Sequence, residues 1–204
     1  MMKLPMLLAV SALLAVPMAA QAVTYQFNAA LSGAKEVAPP DPVPTATTGL
    51  ATLFYDNMGT AALGDDTYSF SMSVFGLTGA ATAFHIHGAA TTAENAPSRV
   101  SLHLPPFVSF NMGSTLLVGG SGVAAPVLFA ATPATVTNAG HPAMSFLDML
   151  RGGLAYVNVH TAANPAGAVR GQLIEVSVVP EPSTYALMLA GIGMMGMLAR
   201  RRRG

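Results

Sequence analysis

The sequence predicts an all-β protein, an antiparallel β-sandwich or Greek-key barrel with one short helix, set between two terminal targeting segments. Three observations predict it. Apolar and polar residues alternate with period two through most of the interior. Gly (20) and Pro (15) are plentiful and divide the chain into short runs. Only 9% of residues are charged, against ~25% in an average soluble chain, which disfavours a helical bundle with a solvated face.

The alternation locates the elements. Val23, Tyr25, Phe27, Ala29 and Leu31 alternate with Thr24, Gln26 and Asn28, and Ser32 follows. Residues 49–55 form a second run, ended by an Asp56-Asn57 turn. Tyr68, Phe70, Met72 and Val74 alternate with Ser69, Ser71 and Ser73, the clearest half-buried strand in the chain. Residues 82–87, 100–104, 115–118, 127–130, 154–160 and 169–178 complete the strand set. Residues 143–150 read as helix, because Met144, Leu147 and Leu150 share a face by i, i+3 spacing and Gly152-Gly153 ends it. Short strands at this spacing, with no internal repeat, make a sandwich or barrel.

Composition excludes several functions. A net charge of zero cannot neutralise a phosphate backbone, so no nucleic-acid partner is expected. With no cysteine there is no disulfide, thiolate zinc site, iron–sulfur cluster or cysteine nucleophile. The chain has no nucleophile-elbow, P-loop or dinucleotide fingerprint. Asp65-Asp66 reads as a turn, since calcium needs six to eight oxygens and no EF-hand spacing surrounds the pair.

The two ends differ from the middle. Lys3, an apolar run over residues 6–16, and the small-x-small triplet Ala20-Gln21-Ala22 make residues 1–22 a signal peptide. Signal peptidase would cut after Ala22. Residues 23–178 form the β-domain, and the segment from Val23 to Val179 carries a net charge of −4. Residues 179–204 comprise Pro180-Glu181-Pro182, an apolar helix over about 184–199, and Arg200, Arg201, Arg202 and Arg203. Fifteen apolar helical residues rise ~22 Å, short of the ~30 Å hydrocarbon core, and snorkelling arginines extend the reach. The arginines hold their end in the cytoplasm, so the domain faces outward. This tail resembles the PEP-CTERM sorting signal of Gram-negative bacteria. The resemblance implies transient anchoring in the inner membrane and recognition by an exosortase that cuts near Pro-Glu-Pro. The destination it implies is the cell surface or extracellular matrix.

The middle carries a second resemblance. Residues 76–90 (GLTGAATAFHIHGAA), residues 153–173 (GLAYVNVHTAANPAGAVRGQL) and residues 31–37 (LSGAKEV) resemble the CHRD domain, over about residues 25–174. The resemblance implies an extracellular β-domain. Where that family usually has Glu before the Ile-Arg-Gly-Gln run, this chain has Ala168.

One constellation carries chemistry. His85 and His87 are two apart, so on a strand they share a face, with Phe84 and Ile86 on the opposite, core side. Such a pair can hold one metal ion through two imidazoles. His160 ends another strand run with Asn158 on its face, and the three histidines converge only if the two strands are neighbours. His103 alternates with Val100, Leu102 and Leu104 and is expected at the solvent side; His141 before Pro142 is expected in a loop. The run Phe84-His85-Ile86-His87, a later Val159-His160 and the Asn164-Pro165-Ala166-Gly167 segment leading to Arg170 are similar to Cu/Zn superoxide dismutase. That similarity implies His85, His87 and His160 as copper ligands and Arg170 as an anion-guiding residue; Asn158, on the strand face of His160, is expected beside the site. No His-rich zinc loop follows His87, and there is no cysteine for that family's disulfide. Two roles stay open for these residues: holding copper or zinc, or hydrogen-bonding the turns that close the barrel. Two functions follow. One is an exosortase-sorted surface or biofilm-matrix protein with a non-catalytic binding or structural domain, whose partners would be exopolysaccharide or surface proteins. The other is an extracytoplasmic metal-binding enzyme of superoxide-dismutase type.

Overall fold

The computed structural model describes residues 22–37, 46–60, 65–120, 127–128, 135–138, 140–179 and 182–201. The strands β1 (Thr24–Ser32), β2 (Thr48–Asp56), β3 (Thr67–Phe75), β4 (Ala81–His87), β5 (Ser98–Ser101), β6 (Val108–Met112) and β7 (Thr115–Gly119) come first. They are followed by β8 (Val127–Leu128), β9 (Thr135–Asn138), β10 (His141–Ser145) and the helix α1 (Phe146–Arg151). The strands β11 (Tyr156–Thr161), β12 (Val169–Gln172) and β13 (Ile174–Val179) and the helix α2 (Pro182–Arg201) complete the order. One antiparallel sheet runs β5-β4-β11-β12-β1-β2-β3-β7-β6, with β13 also on β1 and β8 also on β3, and β9 and β10 pair separately.

The sheet curls because its two edges are close in sequence. Nine strands at ~4.8 Å spacing are ~38 Å wide when flat. Residues 102–107, which join β5 to β6, reach only ~20 Å. The edges therefore approach each other, and the sheet is a half-barrel. Asn111 of β6 fastens the approach to the first residue of β4. Its Nδ2 donates to the Ala81 carbonyl at 2.7 Å, and its Oδ1 accepts from the Ala81 N–H at 3.1 Å.

The period-two pattern is the reason these strands pair as they do. β1 matches β2 over nine consecutive residues and β2 matches β3 over nine more. A one-residue slip would turn the whole apolar set outward. The inward set is Phe27, Ala29, Leu31, Ala51, Leu53, Tyr55, Tyr68, Phe70, Met72 and Val74, continued by Leu116, Val118, Phe84, Ile86, Val157 and Val159. Each of the larger apolar side chains contributes roughly 1.5–3 kcal/mol by leaving water, and the two alanines less. α1 plugs the open side, where Phe146 stacks on Tyr55 and Tyr68 at 6.4 and 6.5 Å between ring centres.

The all-β, antiparallel expectation is met, with specific differences. The helix starts at Phe146 rather than at residue 143, and its buried residues are Phe146, Met149 and Leu150. Ser145 is the cause: its Oγ accepts from the Asp148 N–H at 3.0 Å and donates to the Asp148 carboxylate at 2.7 Å. Gly152 and Gly153 end the helix as expected, with Gly153 N–H on the Leu150 carbonyl. The run at 100–104 leaves the sheet at Ser101, since Leu104 O accepts from Phe107 N–H in a turn that contains Pro105-Pro106. The run at 169–178 is broken at buried Leu173, whose N–H bonds Ala155 O at 2.9 Å. β6, β9 and β10 were not expected, and His141 therefore lies at the start of a strand, not in a loop. Asp65 and Asp66 serve the turn before β3: Asp65 accepts from Thr60, and buried Asp66 accepts from the Tyr55 hydroxyl.

At the ends, residues 1–21 with Ala20, residues 129–130, and Pro180, Glu181, Arg202 and Arg203 lie outside the described residues. Ala22 precedes β1, Pro182 opens α2, and Arg200 and Arg201 close it. No helix among the described residues is long and apolar enough to cross a membrane. That differs from the spanning helix expected at 184–199, whose fifteen-residue apolar run is too short by itself.

Candidate metal centre

β4 and β11 are neighbours, and this is what brings the histidines together. The register sets Asn158 opposite His85 and Tyr156 opposite His87. Phe84, Ile86, Val157 and Val159 take the inner face. His85, His87, Tyr156, Asn158 and His160 therefore share the outer face. One nitrogen from each of His85, His87 and His160 lies within 4.8 Å of the others. Two ligands each ~2.1 Å from one ion lie at most ~4 Å apart. An ion bound by all three would need small rotations of the rings to bring the nitrogens to that distance.

Hydrogen bonds set the tautomers. His87 Nδ1 is 2.9 Å from Ala96 O, and His160 Nδ1 is 3.0 Å from Pro165 O. A carbonyl only accepts, so each Nδ1 carries the proton and each Nε2 keeps its lone pair. His87 Nε2, His160 Nε2 and His85 Nδ1 are buried and have no hydrogen-bond partner among the described residues. Backbone carbonyls that hold the far nitrogen of each ring are the usual outer support of metal-binding histidines. Burial and the neighbouring imidazoles push His85 down to about 4. Burial brings His87 to about 4 as well, and it also lowers His160. All three rings are neutral at pH 7, the form in which imidazole ligates.

The surroundings are polar and tightly held. The segment after β4 folds over this face. Arg170 on β12 is 1% exposed. Its Nη1 donates to Glu94 O at 2.7 Å and Asn95 Oδ1 at 3.2 Å, and its Nη2 to Thr91 O at 2.8 Å and Gln172 Oε1 at 3.4 Å. The guanidinium also lies 3.5 Å from the centre of the Tyr156 ring, which in turn stacks on His87 at 5.0 Å. Glu36 follows the single 3-10 turn Gly33–Lys35. Its Oε2 accepts from Asn158 Nδ2 at 3.2 Å. Burial pushes Glu36 up to about 7, against the pull of that hydrogen bond and of Arg170.

Three participants were not legible in the sequence. His103, expected at the solvent side, is half-buried. Its ring meets His85 edge-on at 4.9 Å and Phe84 at 5.7 Å, and its Nδ1 donates to Phe84 O at 3.3 Å. It sits just past β5, in the turn, where alternation no longer applies. Tyr156 looked like an ordinary strand residue. Glu36 comes from a segment more than a hundred residues from its partner Asn158. His141 stays apart from the cluster and pairs with Glu94 at 3.0 Å, on the loop that also holds Arg170.

The fold is a curled antiparallel β-domain that gathers three neutral imidazoles on its outer face. The CHRD domain family matches residues 27–173, and the chain belongs to that family. The PEP-CTERM protein-sorting motif matches residues 178–203. The chain is thus an exosortase-processed, exported protein, membrane-anchored as a precursor on its way to the surface of a Gram-negative cell. No curated protein and no solved structure matches it.

Proposed function

We propose that this is a surface or biofilm-matrix protein whose CHRD domain binds one copper or zinc ion through His85, His87 and His160, as a binding module and not as an enzyme. One observation carries the reading. One ring nitrogen from each histidine lies within 4.8 Å of the others, and His85 Nδ1, His87 Nε2 and His160 Nε2 are buried without a hydrogen-bond partner among the described residues. Buried polar atoms without partners are rare, and three facing one another call for a cation. Copper(II) has the higher intrinsic affinity for such a site, and supply decides which ion is bound in the cell.

The superoxide-dismutase-type reading is less well supported. An anion-guiding arginine has to present free N–H groups to solvent. Arg170 is enclosed, with both terminal nitrogens engaged by carbonyl oxygens. Its position supports a strut that fixes the covering loop. Asn158 is likewise turned to Glu36.

Export supplies the setting. Cleavage by signal peptidase after Ala22 and by exosortase near Pro180–Pro182 would release residues 23–178 to the surface. Exopolysaccharide or surface proteins are the partners this destination offers. Metal content of the exported protein by mass spectrometry, with competition titrations of Zn²⁺ and Cu²⁺, tests the centre. One ion per chain is expected. A double replacement of His85 and His87 by Gln should abolish binding. Absence of stoichiometric metal and of binding at micromolar Zn²⁺ or Cu²⁺ would sink the reading. Intact mass tests the processing: retention of Arg200–Arg203 in the surface form speaks against it.

A further inference from the structure

Five buried side-chain atoms lack a hydrogen-bond partner among the described residues: Glu36 Oε1, His85 Nδ1, His87 Nε2, Asn158 Oδ1 and His160 Nε2. All five belong to one cluster. Asn158 is the register partner of His85 and is two residues from His160. Its amide nitrogen holds Glu36. His87 Nε2 and His160 Nε2 are electron-pair donors, His85 Nδ1 is one when the proton sits on its Nε2, and the three together suit a cation. The two oxygens are acceptors and need hydrogens. A metal ion alone satisfies only the first group.

We propose that Glu36 and Asn158 hold a water molecule as the fourth ligand of the ion bound by His85, His87 and His160. This rests on the metal reading above and adds a carboxylate to it. One coordinated water offers its oxygen to the ion and its two hydrogens to the two oxygens. The count then closes: four ligands, the usual number at zinc, and no orphaned atom. The charge closes better too. Three neutral imidazoles leave a buried dication uncompensated, and a carboxylate one shell out offsets part of it.

The local chain is shaped for this carboxylate. Gly167 has φ +152, a conformation that side chains avoid, and a Cβ there would lie 2.5 Å from Glu36 Oε2. The carboxylate occupies the space that any other residue at 167 would fill. Glu36 reaches the cluster from the turn Gly33–Lys35, whose Gly33 carbonyl accepts the Glu36 N–H.

Glu36 is a positioning residue in this account, so the test needs a signal that mere folding does not move. The visible absorption of bound Co²⁺ reports its coordination sphere, and chelator competition reports Zn²⁺ affinity. Both are read on the exported protein at pH 7.5. Glu36→Gln should weaken Zn²⁺ by about 10–100-fold and alter the Co²⁺ bands, with one ion still bound. Gly167→Ala leaves the carboxylate in the protein but pushes it aside, and should do the same to a smaller degree; it stands in if Glu36→Gln does not fold. Wild-type affinity and an unchanged Co²⁺ spectrum in a folded variant overturn this inference and leave the three-histidine centre intact. Failure of the unmodified protein to bind Co²⁺ or Zn²⁺ overturns the metal reading, and this inference with it.

Discussion

A single row of register partners crosses nine strands of the sheet, and its two halves behave differently. It runs Ser101, His85, Asn158, Arg170, Ser32, Thr48, Phe75, Thr115, Met112. Directly paired residues project from one face, here the outer one. On the first half that face is buried: Asn158 is 3% exposed and Arg170 is sealed under backbone carbonyls. On the second half Phe75 and Met112 are open, and the next row adds Leu50, Leu117 and Phe110, with Leu50 66% exposed. The strands of the second half carry no charge between Thr67 and Gly119 on β3, β6 and β7. The lesson is that "outward" does not fix environment. Polar residues are buried where the segment after β4 covers them, and apolar residues are exposed where the sheet is bare.

The strongest way to break the covered half is to remove its strut. Arg170→Ala leaves the carbonyls of Thr91 and Glu94 without their charged donor and takes the support from Tyr156. A loss of roughly 3–5 kcal/mol is expected, because several buried charge-assisted hydrogen bonds go at once. Urea unfolding measures it, and a change under 1 kcal/mol would mean that the loop is held otherwise. The inner face behaves uniformly beneath both halves. Phe70→Ala, at a residue 3% exposed and edge-on to Phe107, should cost about 3–5 kcal/mol. Near-neutral behaviour there would show that the alternation does not mark a core.

The inner face was legible and the covered half was not, for a physical reason. Alternation is a local property of a strand, so Tyr68 to Val74 and their serine partners announced themselves. The shared face of His85 and His87 was legible on the same ground. Their meeting with His160 depends on β4 lying beside β11, a pairing across some seventy residues that no local pattern encodes. Glu36 and His103 were invisible for the same reason: each arrives from a turn, where period two has ended. α1 was found but shifted, because a cap such as Ser145 outweighs apolar spacing in deciding where a helix begins. The strand β6 was missed because all its side chains are exposed, so polarity carries no information about it.

Acid should separate the two halves of the row without any mutation. Unfolded imidazoles take a proton near pH 6.5, whereas folded His85 and His87 resist until about 4. Between those values the unfolded state binds more protons, so stability falls as pH drops through the window and is flat above it. Glu36 opposes this: its raised value of about 7 lets the folded state hold a proton first, which favours folding as pH falls. Two or three histidines outweigh one carboxylate. Metal-free protein should therefore melt progressively lower from pH 6.5 to 4, and saturating Zn²⁺ should delay the fall. His85→Gln should flatten the profile and Glu36→Gln should steepen it. An unmodified protein whose melting temperature is constant across the window contradicts the neutral, buried histidines.

The smallest effect belongs to the bare half. Leu117 lies between Ser73 on β3 and Phe110 on β6, on the open side of the sheet. Leu117→Ser removes an apolar side chain that is already 41% exposed, so little burial is lost. Serine is already tolerated across the same row at Ser73. The change should stay within about 0.5–1 kcal/mol, far below Phe70→Ala one strand away. Solubility should rise instead, because the substitution removes one of the exposed apolar side chains on the face beside the uncharged edge strand β6. Thermal melting and light scattering on one sample read both effects. A loss near that of Phe70→Ala would mean that something covers this face in solution, and the contrast between the two halves would then disappear.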